Sequence, residues 1–289
     1  MSKKVTVYIT TLNRLDFFKR AVNSVLAQDY PSIEIIVVDD KSDKDVSQAI
    51  QEYIADYDNV LYFYNEERMG ACYSRNIAIN HSTGTYITGL DDDDYFESNR
   101  ISHFVNKYQQ LVDNHTQFAG VFSNFNVIRD ETLKGFERKS NVSFEDIKTW
   151  NHVGNQLFSE VSKFKKINGF DPNLPAWQDF DVWYRMIKQY GNAINDGSYS
   201  YTQDMSHDAD RISLNSVRIN KAFDIFQEKF SLNKQETDII RLSLLNYCRP
   251  DQSFPISLFI KTLFSCRNGA QFYLTCKIFM KYVLKMNKK

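Results

Sequence analysis

Along its first part the chain switches repeatedly between two hydrophobic periods. Positions 5–11 form an apolar, β-branched run that predicts a strand, and Leu15, Phe18, Val22, Val25 and Leu26 recur at helical spacing within 14–28. A continuous apolar run over 33–38 ends abruptly in Asp39 and Asp40. Residues 43–57 read as a helix and 60–64 as another strand. Residues 70–81 read as a helix with Cys72, Asn76 and Asn80 along one side, and 86–90 as a short strand running straight into Asp91, Asp92, Asp93 and Asp94.

Strand and helix in alternation predict an α/β fold, a mostly parallel sheet covered on both faces. Ligands of such sheets sit at the carboxyl ends of the strands. Here those ends are polar: Thr10, Thr11 and Asn13 after the first, Asp39 and Asp40 after the second, Asn65 after the third, and the four aspartates after the fourth. A purely structural sheet has no need of acids at successive strand ends, so these positions point to a site. Further along, 119–128 looks like one strand and 160–167 like a short helix ending at Asn168 and Gly169. Residues 178–190 form a helix with Phe180, Trp183, Tyr184 and Ile187 on one side, stopped by Gly191. The tail beyond 213 is mostly helical, with breaks at Arg249-Pro250, Phe254-Pro255 and Asn268-Gly269. There is no internal repeat.

At 289 residues the chain can bury a large core, as one large α/β domain with an appendage or as two small domains. A net charge of −1 gives no electrostatic footprint for nucleic acid. The charge is uneven, however: beyond Ser257 every charged side chain is basic, namely Lys261, Arg267, Lys277, Lys281, Lys285, Lys288 and Lys289. Cys72, Cys248, Cys266 and Cys276 form no CxxC pair and read as reduced thiols. No run looks like a signal peptide, and none approaches the ~20 apolar residues of a membrane span. The expectation is a cytoplasmic protein, with a peripheral place on the inner face of the membrane open to it.

Several constellations could carry chemistry, each with a plainer structural alternative. In an extended backbone Asp91 and Asp93 would share one side, a hard-oxygen site for Mg²⁺ or Mn²⁺ that borrows its other ligands from phosphates; the alternative is a solvated acidic loop. Asp40 could accept the N3–H of uracil or pair with ribose, or the segment could simply be a turn. Arg75 could reach a diphosphate or make a surface ion pair. Asp179, between Trp177 and Phe180, could have its pKa raised by burial into the range of a general base, or could cap a helix. His207 and Arg211, in a polar stretch with Asp204, Asp208 and Asp210, could contact metal and diphosphate, or lie in a polar loop.

In order along the chain, these stretches resemble the family-2 glycosyltransferases of the GT-A fold. Val7 to Arg14 is similar to that family's first strand and nucleotide loop, 21–31 to its first helix and turn, and 34–42 to its uracil-contacting strand. Residues 70–76 and 90–94 resemble its arginine segment and DxD metal motif, and Gln178-Asp179 its Glu-Asp pair, whose aspartate is the base. Two departures stand out: Thr10 where a proline is usual, and Gln178 where glutamate is common.

The resemblance implies a GT-A domain over 1–213, with a nucleotide-binding half (1–115) and an acceptor half (116–213), followed by a helical basic region (214–289). It implies an inverting, metal-dependent transfer of a hexose from a UDP-sugar, glucose or galactose being favoured. Thr10, Thr11, Asn13, Arg14, Asp40, Asn65, Arg75, Asp91, Asp92 and Arg211 would bind the nucleotide sugar. Asp93, Asp91 and His207 would hold Mn²⁺ or Mg²⁺, and Asp179 would be the base. The implied acceptor is an N-acetylhexosamine on undecaprenyl diphosphate, as in O-antigen or capsule synthesis. The basic, apolar tail would then touch an anionic membrane surface or pack on the domain. A nucleotidyltransferase is disfavoured because 10–14 contains no glycine, and a dinucleotide oxidoreductase because no GxGxxG follows the first strand. A non-catalytic nucleotide-sugar-binding subunit and a transferase with a protein or free-saccharide acceptor remain as alternatives.

Overall fold

The computed structural model describes residues 2–206, 216–243, 256–266, 269, 272–273, 275–277 and 279–280. The backbone divides into two compact units. The first holds residues 1–144, 151–172 and 179–208; the second holds 145–150, 173–178 and 209–289.

The first unit is organised by a five-stranded sheet of order β10-β4-β1-β2-β3. Its strands are β1 (Val5–Thr11), β2 (Ile33–Asp39), β3 (Val60–Tyr64), β4 (Tyr86–Asp91) and the short β10 (Ser159–Glu160). The first four run parallel, and β10 closes the β4 edge antiparallel. Val5, Val7, Ile9, Ile35, Val37 and Leu90 are fully buried, as expected for strands covered on both faces. The covering helices are α1 (Leu15–Leu26), α2 (Lys44–Ile54), α3 (Ala71–His81) and α4 (Arg100–Asp113). Phe18, Ala21, Val22 and Val25 bury one face of α1, and Ile101, Phe104 and Tyr108 one face of α4, in the same core. At the far end of the sheet, Glu34 is buried among hydroxyl donors from Thr6 (2.5 Å) and Thr83 (2.5 Å) and the Thr83 amide (2.8 Å). Burial pushes its carboxyl up, and these hydrogen bonds outweigh that and hold it below the usual range.

The chain order decides where a ligand can sit. From β1 the connection goes through α1 to β2 and on to β3, while β4 lies on the other side of β1. Thr11 is in register with Asp39, and Thr10 with Asp91. The polar strand ends therefore meet at the point where strand order reverses, where open α/β sheets hold their ligands.

The single strand expected over 119–128 is two strands in different sheets. β6 (Phe118–Phe122) joins β9 (Asn141–Val142) and β11 (Asn192–Asn195) in a three-stranded sheet; β7 (Phe125–Arg129) joins β5 (Tyr95–Phe96), β8 (Thr132–Phe136) and β12 (Tyr201–Asp204) in a four-stranded one. The break falls at buried Ser123 and Asn124. Ser123 accepts a hydrogen bond from Arg100 (2.8 Å), and Asn124 Oδ1 accepts from the Arg138 amide (2.9 Å) and from Asn195 (2.8 Å). These bonds to distant residues replace continuation of the strand, so an unbroken apolar run serves two sheets. Short α6 (Val161–Lys166) follows β10, and α7 (Gln178–Tyr190) matches its predicted span. Gly191, at φ 101°, ends α7; a side chain there would collide with the Gln117 carbonyl. Buried Asp181 pairs with half-buried Arg185 on α7, and Arg185 also donates to the carbonyls of Ile167 and Gly169.

In the second unit, α8 (Ser216–Phe230) and α9 (Lys234–Ser243) are joined through Ser231 at φ 48°, and α10 (Ile256–Ser265) lies further along. Also here are residues of α5 (Phe144–Ile147), which begins in the first unit. Ile219, Phe223 and Phe226 of α8 are buried, and Trp177 lies edge-on to Phe223 and Phe226 with centroids 6.1 and 6.0 Å apart. Lys148 pairs with Glu236 at 3.2 Å. The predicted breaks at 249–250 and 254–255, and Asn268 of the third, lie outside the described residues. Among the described residues no helix is long and apolar enough to cross a membrane.

Candidate active site

Three linked clusters stand at the carboxyl ends of the parallel strands. The first surrounds Arg75 on α3. Its guanidinium is buried, with Cζ 5.1 Å from the centre of the Phe170 ring. Nη2 donates to Asp91 Oδ1 at 3.0 Å and Nη1 to Asp179 Oδ1 at 3.1 Å. One planar fork thus joins the end of β4 to the first turn of α7. The α3 helix can present Arg75 there because Asn76 is clamped to the Phe170 backbone, donating to its carbonyl and accepting from its amide, both at 2.8 Å. Burial works against the Arg75 charge, but Asp179 and Asp91 outweigh it and hold its pKa above the ordinary value.

Asp179 is pushed up to about 7. Burial is the largest cause; Arg75 opposes it and the negative charge of Asp91 adds to it. The direction agrees with the sequence reading, although the neighbouring charges are an arginine and an aspartate from far along the chain. The preceding Trp177 stands at φ 62°, a left-handed conformation uncommon for a bulky side chain, where the chain turns into α7.

The second cluster is the aspartate run, and here the extended-backbone expectation is corrected. The strand stops at Asp91 and the chain turns, with the Asp94 amide donating to the Asp91 carbonyl at 3.0 Å. The four side chains therefore diverge instead of alternating. Asp91 meets Arg75 and accepts from Asn155 (3.0 Å) and Gln156 (3.3 Å). Asp92 is buried against the Thr11 hydroxyl (2.8 Å) and Arg14 (3.1 Å), and Asp93 takes a second bond from Arg14 (3.0 Å). Asp94 accepts from the Tyr201 hydroxyl (2.7 Å) and the Asp204 amide (3.1 Å). Burial raises Asp92 to about 6, Arg14 opposing and Asp93 adding; burial, then Asp91 and Asp93, raise Asp94 well above its ordinary value.

This crowding of like charge is what a divalent cation would relieve, and carboxylate oxygens are suitable donors for Mg²⁺ or Mn²⁺. Among the described residues no three carboxylates, imidazoles or thiols converge as a complete metal cage. A divalent ion held by one or two carboxylates takes most of its ligands from phosphate and water.

The third cluster is at β2 and β3. Asp40 is buried and accepts from Asn65 (2.7 Å) and from the amides of Met69 (2.9 Å) and Gly70 (2.8 Å). It shapes the turn into α3 and places Asn65 beside it. Asn13, at φ 56°, locks the first loop to the second: its amide donates to Ser42 Oγ (2.8 Å) and its Oδ1 accepts from the Asp43 amide (2.7 Å). Thr10 is half-buried beside Asp91 in register. His207 and Arg211 lie outside the described residues.

Sequence reasoning missed Asn155, Gln156, Tyr201, Arg20 and Asp204. Asn155 donates to Tyr201 (2.9 Å) as well as to Asp91, while Arg20 reaches Asp204 and the Asp93 carbonyl. Tyr201 and Asp204 belong to β12, a strand that, like β2 and β4, ends in an acid; identifying that strand would have flagged them. No local pattern marks Asn155 or Gln156.

Gln156 is seated by an absence. A Cβ on Gly89 of β4 would lie 2.3 Å from Gln156 Oε1 and 2.3 Å from the buried Tyr8 ring. Gly89→Ala is expected to destabilise the fold by about 1–3 kcal/mol through overpacking and to lower activity by expelling Gln156 from Asp91. Thermal unfolding and transfer assays read the two effects; wild-type values in both would show that Gln156 tolerates the added methyl.

A mostly parallel sheet with acids at its switch point, a buried arginine bridging two of the carboxylates and a helical extension define a GT-A glycosyltransferase. The chain belongs to glycosyl transferase family 2, whose profile matches residues 6–165. It is 37% identical over 194 residues to WcaA of Escherichia coli K12, named for glycosyl transfer in colanic acid biosynthesis, with 65% of this chain and 67% of that protein covered. It is 31% identical over 150 residues to the GalNAc(5)-diNAcBac-PP-undecaprenol beta-1,3-glucosyltransferase of Campylobacter jejuni, covering 50% of this chain and 47% of the relative. Of an uncharacterized Rickettsia conorii glycosyltransferase it spans 31%. Among solved structures, Staphylococcus aureus TarS 1–349 superposes with a TM-score of 0.64 at 16% identity, covering 90% of this chain and 79% of that one. The mannosyltransferase PcManGT of Pyrobaculum calidifontis, in complex with GDP-Man and Mn²⁺, superposes with 0.60 at 14% identity, covering 99% and 87%.

Proposed function

We propose that this glycosyltransferase is inverting and metal-dependent, and moves a hexose, glucose or galactose, from a UDP-sugar to an N-acetylhexosamine carried on undecaprenyl diphosphate during cell-surface polysaccharide synthesis. The observation that carries the reading is the pairing of Asp179 with Arg75 and of Arg75 with Asp91. It places a carboxyl of raised pKa one guanidinium away from the acids expected to face the donor diphosphate. Asp179 would take the proton of the attacking acceptor hydroxyl. Arg75 would turn its fork to the departing diphosphate. Asp40 and Asn65 would face the uracil side, with Thr10, Thr11, Asn13 and Arg14 along the nucleotide. Asp91 and Asp93 would hold Mn²⁺ or Mg²⁺, whose chemistry is to neutralise charge gathering on the leaving group.

The UDP choice is supported by the fold likeness to TarS, solved with UDP-GlcNAc (TM-score 0.63, 16% identity). The acceptor class is supported by the name of the Campylobacter relative. Contact with a membrane is supported by α10, where Ile256, Ile260 and Phe264 are 62%, 47% and 85% exposed at a spacing of four residues, in a stretch whose charges are all basic.

The test is a transfer screen with Mn²⁺ or Mg²⁺, pairing UDP-, GDP- and dTDP-sugars with a synthetic N-acetylhexosaminyl diphosphate-lipid. The expected result is metal-dependent release of UDP with a new disaccharide. Turnover of a GDP- or dTDP-sugar alone would overturn the donor; donor binding without product on lipid, protein or free-saccharide acceptors would favour a binding subunit.

A further inference from the structure

The hairpin of β7 and β8 carries a charge that the mechanism above does not use. Phe125 and Phe136 pair across it and stack, with ring centroids 5.3 Å apart and planes 17° from parallel. Arg138 lies on the far side of Phe125, its Cζ 4.2 Å from the ring centre, and Lys134 Nζ stands 5.4 Å from the centre of the Phe136 ring. Cation, ring, ring and cation thus form a ladder, and Phe136 is 38% exposed.

The Arg138 guanidinium also lies against Gly154. A Cβ there would meet its Nη2 at 2.5 Å, and Gly154 has φ 98°, so this close approach needs glycine. The next residue, Asn155, donates to Asp91 and Tyr201. Arg138 is therefore placed one residue from the acid cluster. Among the described residues no carboxylate pairs with it, and burial pushes its pKa down to about 10, with Tyr201 the one opposing influence. A guanidinium held in partly dry surroundings without a counter-charge is costly unless an anion arrives from outside.

We propose that Arg138, with the Phe125 ring as its apolar floor, is a subsite for an oxyanion of the acceptor. This deepens the reading of a lipid-linked saccharide acceptor and rests on it for one of two sources. The oxyanion is either the diphosphate joining the sugar to its lipid or the carboxylate of a uronic acid in the growing saccharide. Arginine suits both because its planar fork pairs with two oxygens at once.

The test is a binding titration with UDP and Mn²⁺ saturating, so that donor contacts are already taken. Three probes are compared: a short-chain N-acetylglucosaminyl diphosphate-lipid, the neutral octyl N-acetylglucosaminide, and a glucuronate-containing disaccharide. Wild-type protein is expected to bind one anionic probe at least about tenfold more tightly than the neutral one. Arg138→Gln, which keeps much of the stem over Phe125, and Arg138→Ala should both erase that preference; Arg138→Lys should keep part of it. Gly154→Ala should reproduce the loss by pushing the guanidinium aside. UDP affinity should be unchanged in the Arg138 variants. A preference for the uronate alone, lost in Arg138→Gln, would uphold the subsite while removing the lipid-diphosphate reading. A preference that survives Arg138→Gln, a matching fall in UDP affinity, or no preference for either anion with UDP still bound would overturn the subsite and leave the donor reading standing.

Discussion

Replacing Asp179 with Asn is expected to lower the transfer rate by about a thousandfold, the middle of the range for a positioned general base, while UDP affinity stays within about twofold of wild type. The amide keeps the shape and can still face Arg75, but it cannot accept a proton. The pH profile carries the same argument. With its carboxyl pushed up to about 7, Asp179 is protonated and idle in mild acid. The rate should fall about tenfold per pH unit below that point and level off above it. Stability should move the other way. A carboxyl whose folded pKa exceeds its unfolded value of about 3.9 binds more protons in the folded state between the two. Its contribution is complete below pH ~4 and is lost as pH rises toward 7. Activity and this part of the stability should therefore cross, which kcat measurements and unfolding midpoints over the same buffers would read. A flat rate from pH 5 to 8, or an Asn variant of near wild-type activity, would remove Asp179 from the role of base.

Loss of Arg75 is the other large effect, and it should reach both stability and rate. Arg75→Ala leaves Asp91 and Asp179 facing one another without the guanidinium between them. Breaking a fully buried pair costs about 3–5 kcal/mol. The two carboxylates are 29% and 26% exposed, so a loss of about 2–3 kcal/mol is expected here. With Arg75 gone, burial and Asp91 act on Asp179 unopposed, and the acid limb of the rate profile should move above 7. Arg75→Lys separates charge from geometry. Lysine restores a cation and much of the stability, but one ammonium cannot reproduce two parallel N–H bonds to carboxylates on different elements. It should keep its folding midpoint near wild type and still lose about a hundredfold in kcat/KM. If Arg75→Lys transferred sugar at the wild-type rate, the bridge would be a structural tie only.

Much of the parallel sheet and its strand ends was legible in the sequence alone. The spans 5–11, 60–64 and 178–190 agree with β1, β3 and α7 to the residue, because a buried parallel strand, an apolar edge strand and an amphipathic helix each leave a regular apolar signal. The same rule picked out Asp39, Asp40, Asn65 and the four aspartates, since acids at successive strand ends are conspicuous in one dimension. Residues 116–213 were less legible. The hairpin of β7 and β8 is short and exposed along β8, and its turn at Asp130 and Glu131 has no glycine to announce it despite φ values of 47° and 63°. Ser123 and Asn124 ended a strand because their partners, Arg100, Arg138 and Asn195, come from three other parts of the chain.

The sequence alone determined the class of sheet, the side of it that is polar and the residue types available there, because hydrophobic period and strand-end chemistry are local properties. Only the tertiary structure decided which carboxylate meets which cation. Asp91 turned to Arg75 and Asn155, Asp92 and Asp93 to Arg14, and Asp94 to Tyr201, where an extended backbone would have alternated them. Those choices, and with them the raised pKa of Asp179, depend on desolvation and on charges brought from up to 104 residues away. Such through-space energies leave no period in the sequence, since they exist only once the strands have paired and water has been displaced.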